Sequence, residues 1–104
     1  MTKEKVLEAI KGYRSRLHSK GLDSCDLPHD RYMNEEYGLF MGSEVTMLGL
    51  SHCLGMLDQM ERFVVEDRMD KVFRWLGFVQ GCLWMAGYYT LDELKNHNRP
   101  DSTG

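Results

Sequence analysis

A chain of 104 residues, 42% of them hydrophobic, is long enough for one domain with a single modest core and too apolar for a disordered chain. The net charge of −3 comes without a sustained basic stripe, which disfavours duplex DNA as a partner. Three cysteines with no CxxC pair and no secretory leader point to free thiols in a reducing cytosol.

Charge is unevenly spread. Residues 1–20 hold six Lys/Arg against two acids, and residues 21–44 hold six acids against Arg31 alone. Such asymmetry can steer two copies together or hold the first helix against the acidic segment. The plainer expectation is two solvated faces.

Thr2 is placed to cap a first helix over roughly residues 3–20. Val6, Ile10, Tyr13 and Leu17 form its apolar stripe, and Gly21 is suited to end it. Residues 22–42 are the least regular stretch. Pro28 disfavours helix just before it, and DRYMNEEY reads as a short helix closed by Gly38. With Tyr32, Tyr37, Leu39 and Phe40, this long connection reads as a structured crossover that closes one end of a bundle.

A second helix is expected from about Ser43 to Val65. Its stripe is Leu50, Cys53, Leu54, Leu57 and Val64, with Met56, Met60 and Phe63 beside it. Glu66-Asp67-Arg68 is a tight connection, and Asp67 is the expected cap of a third helix. That third helix shows two apolar rows at helical spacing. One is Met69, Val72, Phe73, Leu76, Val79 and Leu83; the other is Trp75, Phe78, Cys82, Met85 and Tyr89. A helix with two apolar faces needs cover from two directions, so it is expected at the centre of the fold. Gly49, Gly55, Gly77 and Gly81 suggest close approach of backbones. Gly87 reads as the end of the third helix. Thr90-Leu-Asp-Glu93 is a capping box that opens a short fourth helix over about 91–97, with Pro100 beyond it. No stretch is apolar and long enough to span a bilayer.

The fold class expected is therefore all-α: a three-helix bundle core, a short fourth helix and a long structured crossover between helices 1 and 2.

Chemistry-bearing patterns are sparse. Cys25 with His29, and His52 with Cys53, do not form two ligand pairs of zinc spacing, so no metal is assigned. His29, Asp30, Glu35 and Glu36 cluster without a hydrolase motif, and no catalytic residue or cofactor is assigned. Arg14, Arg16, Lys20, Arg31, Tyr32 and Arg99 are the pieces available to hold a nucleotide or a partner. Trp75, Phe78, Met85 and Tyr89 are expected at an oligomer interface, most simply of a two-fold dimer.

The segment RWLGFVQGCLWMAGYYTLDELKNHNRP, Arg74 to Pro100, resembles a block in small uncharacterised proteins of tailed bacteriophages and prophages. The matching positions are Trp75 to Phe78, Gln80-Gly81, Leu83-Trp84, Gly87, Thr90 to Glu93 and His97 to Arg99. The block covers about a quarter of the chain. The resemblance implies a phage accessory protein, acting in the bacterial host cytoplasm. Such a protein binds a host macromolecule, and in some cases inhibits a host enzyme or defence system; no catalytic residue carries over. Two alternatives stand beside this expectation. One is an oligomeric nucleotide-binding protein that sequesters a signal, with phosphate contacts from helix 1 and residues 22–42. The other is a structural or virion-associated role.

Overall fold

The computed structural model describes residues 1–25 and 42–99, the side chains of 42–45 excepted. It is all-α. The elements are α1 (Lys3–Ser19), α2 (Gly42–Val65), α3 (Met69–Met85) and α4 (Leu91–Asn98). The expected crossover and its short helix lie at residues outside those described.

The helices begin and end for local reasons. Thr2 Oγ1 accepts from the Lys5 N–H at 3.1 Å and opens α1. Thr90 and Glu93 close the capping box of α4, with reciprocal bonds of 3.1 and 3.0 Å. Three helices end the same way, with one left-handed residue and a reach back of five positions. After α1 the left-handed residue is Gly21, and the Leu22 N–H donates to Leu17 O. Both leucines are buried, so the turn is stapled as well as hydrogen-bonded. After α3 it is Gly87, and the Tyr88 N–H donates to Leu83 O. After α2 it is Asp67, at φ 60°, and the Arg68 N–H donates to Phe63 O. Asp67 thus ends α2 and does not cap α3, as its position had suggested. The residue that precedes α3 is Arg68, which makes no capping side-chain bond.

The core joins all four helices. Val6, Ile10, Tyr13 and Leu17 of α1 meet Leu50, Cys53, Leu54, Leu57 and Met60 of α2, then Val72, Leu76, Val79 and Leu83 of α3, with Leu94 from α4. The centre belongs to α2, which packs against both α1 and α3. At 100° per residue its buried positions, Leu50 to Val64, cover about half of its circumference. Those of α3 cover about a third. Within the chain, the described residues therefore cover α3 on one side only, and it is α2, not α3, that stands at the centre. Only its first row is buried, and even there Phe73 remains 42% exposed. Within the single chain no backbone comes close at Gly49, Gly77 or Gly81, where a Cβ would meet nothing within 4 Å.

Candidate functional site

Where α1, α3 and α4 converge, four polar side chains form a closed network. Gln80 sits on the buried side of α3, and its Nε2 donates to Tyr13 Oη at 2.9 Å and to Asn98 Oδ1 at 2.7 Å. Asn98 Nδ2 returns a bond to Gln80 Oε1 at 3.0 Å. Tyr13 Oη lies 2.7 Å from His97 Nδ1. With Oη accepting from Gln80, the assignment that pairs every group has Tyr13 donate to Nδ1, with His97 neutral and its proton on Nε2. Burial lowers the His97 pKa, with Lys5 and Arg16 acting in the same direction and Glu93 opposing. Burial also pushes the Tyr13 phenol up to about 12. These bonds tie α4 to α1 and α3.

Beside the network runs a groove of about 590 Å³ between α1 and α4. Ala9 and Gly12 line its α1 side; Tyr89, Glu93 and His97 line the other. Arg16 crosses it, donating to Tyr88 O at 2.7 Å with its guanidinium 4.3 Å from the Tyr89 ring centroid. Tyr89 also meets Tyr13 and His97 edge-on, at 5.2 and 5.4 Å.

Of the residues expected to hold a nucleotide, the described ones do not converge. Arg14 faces α2, where Nη1 pairs with Glu61 and Nε donates to Asp58 Oδ1 at 3.1 Å. Its Nη2 is 3.0 Å from the same Asp58 oxygen but is not aligned for a hydrogen bond. Arg16 points to α4 instead. Lys20 is exposed at the end of α1, and Arg99 binds its neighbour Asn96 at 2.8 Å. Arg31 and Tyr32 lie outside the described residues, as do His29, Asp30, Glu35 and Glu36. Among the described residues, no three His, Cys, Asp or Glu side chains gather as a metal site would require.

The expected oligomer interface divides. Trp75 is packed in the chain, edge-on to Phe63 at 5.1 Å, with Lys71 Nζ 5.2 Å from its ring centroid. Tyr89 is likewise part of the chain's own packing. Phe78 and Met85 are 56% and 78% exposed, and Trp84 joins them at 46%. The outer face of α3 is thus apolar and uncovered by the described residues, with Phe73 and Trp84 along one edge and Phe78 and Met85 along the other.

One thiol pair bridges the core. Cys53 is fully buried and Cys82 partly so, and their mutual influence pushes Cys82 down and Cys53 up.

No protein family, curated protein or solved structure matches this chain.

The sequence pattern placed Tyr13 only in an apolar stripe and gave Gln80 no place in the core, so the polar network was not legible from it. One signal was present: Gln80 falls between Leu76 and Leu83 at the spacing of the buried row.

Proposed function

We propose that this chain is a non-enzymatic binding protein that acts through protein–protein contact. The observation that carries the reading is the outer face of α3. Phe73, Phe78, Trp84 and Met85 stand exposed on a helix whose opposite side already completes the core. A contiguous apolar surface of this kind costs solubility unless something covers it. Together with the resemblance to phage accessory proteins, this gives a dimeric or larger assembly in the bacterial cytoplasm that engages a host macromolecule.

The test is a pull-down from bacterial lysate with the tagged full chain and its Trp84→Glu variant. Trp84 touches no described aromatic partner, so the helical circular dichroism of the variant should match the parent. A specific host protein kept by the parent and lost by the variant supports the reading. Equal retention by both removes α3 from it.

A second reading keeps the nucleotide, now at the groove of α1 and α4, where Arg16, Lys5 and Tyr89 offer cations and a ring. A nucleotide at micromolar concentration would then raise the melting temperature. That gain would be lost in Arg16→Ala.

A further inference from the structure

We infer that the outer face of α3 receives a second copy of this chain, laid antiparallel so that the two helices cross at Gly77 and Gly81. The inference rests on the reading of this face as an interaction surface and names its occupant.

The floor of the face is the first argument. At 3.6 residues per turn, Gly77 and Gly81 lie side by side between the two apolar edges. Glycine is a poor helix residue, and nothing in the chain uses its small size here, since the space above both positions is open. Another helix can come down onto this floor while Phe73 and Trp84 on one edge, and Phe78 and Met85 on the other, close around it.

Charge selects the occupant and its direction. The first half of the face carries Arg74, which has no ion-pair partner among the described residues. The far end of α3 has no basic residue in its last turn to meet the negative end of the helix dipole. Next to that end is a hollow of about 500 Å³, lined by Trp84, Leu91 and Asp92 among others. An antiparallel second copy carries its Arg74 to this hollow, over an indole and beside a carboxylate. The two-fold axis makes the same contact twice. A parallel copy would set Arg74 against Arg74.

The test is the mass of the full chain in solution, followed by sedimentation from low micromolar to several hundred micromolar. The parent is expected to be a dimer. A Cβ at Gly81 meets nothing within 4 Å in the single chain, and Gly81→Leu should weaken self-association by roughly tenfold or more at unchanged helix content. Arg74→Asp should weaken it as well, and adding Asp92→Arg should restore it, which a parallel or unrelated contact would not do. A parent that stays monomeric throughout overturns the inference. So does a dimer indifferent to Gly81→Leu. In either case the broader reading of the face is decided separately, by whether Trp84→Glu loses a host protein in the pull-down.

Discussion

A tyrosine hydroxyl shut away from water needs both a donor and an acceptor, and Tyr13, only 1% exposed, finds them on two other helices. Removing that oxygen leaves Gln80 one acceptor short and His97 one donor short. Tyr13→Phe is expected to cost roughly 1–2 kcal/mol in urea unfolding at pH 7. The same site sets a pH dependence. The folded chain holds His97 below its ordinary value of 6.5, chiefly through burial, so the unfolded chain takes up this proton first as pH falls. The contribution of neutral His97 is complete above pH 6.5 and is lost as pH drops through the lower folded value. Unfolding midpoints should fall between pH 7 and pH 5, and His97→Gln should flatten that part of the decline. A curve with the same slope in both proteins would mean that other groups carry it.

At the scale of the elements, two helix ends share one geometry and differ in chemistry. Asp67 and Gly87 occupy equivalent left-handed positions, at φ 60° and 79°. A side chain there is strained and glycine is not. Asp67→Gly should therefore raise the melting free energy by roughly 0.5 kcal/mol. It does so despite losing the exposed Lys3–Asp67 pair, which at a solvated surface is worth little. Gly87→Ala should lower it by roughly 1 kcal/mol. Opposite signs in paired thermal melts are the expected result; equal signs would discard the shared geometry. The stops at Gly21 and Gly87 and the capping box at Thr90 were readable because each depends on a few consecutive residues. The role of Asp67 was not. A short acidic connection suits the end of one helix as well as the start of the next, and the choice lies in the φ that the turn imposes.

For the whole molecule, α1 is held on α2 by apolar contact and by Arg14, whose guanidinium spans Asp58 and Glu61. Burial works against the charge of Arg14, and the two carboxylates more than offset it. Because those carboxylates remain half open to solvent, the contribution is modest and salt-sensitive. Arg14→Met should lower stability by about 1 kcal/mol at low ionic strength and by less in 1 M salt. An undiminished loss in salt would assign the effect to packing of the arginine stem. This use of Arg14 also keeps it apart from Arg16, which points to α4. Arg14 and Arg16 are two positions apart, which on a helix sends them to different neighbours.

The chain's own pattern was enough to determine that it is helical, that α1 and α3 stop at Gly21 and Gly87, and which stripes of α1 and α2 are buried. Periods of three and four, and caps a few residues long, are local quantities that one strand of text contains in full. Only the tertiary structure decided that α2 and not α3 stands at the centre, because an apolar row looks the same whether its cover comes from this chain or from elsewhere. It also decided that Tyr13, Gln80, His97 and Asn98 meet. Their contact spans up to 84 residues of sequence, and hydrogen-bond partners at that separation are chosen by the packing of three helices and not by spacing along any one of them.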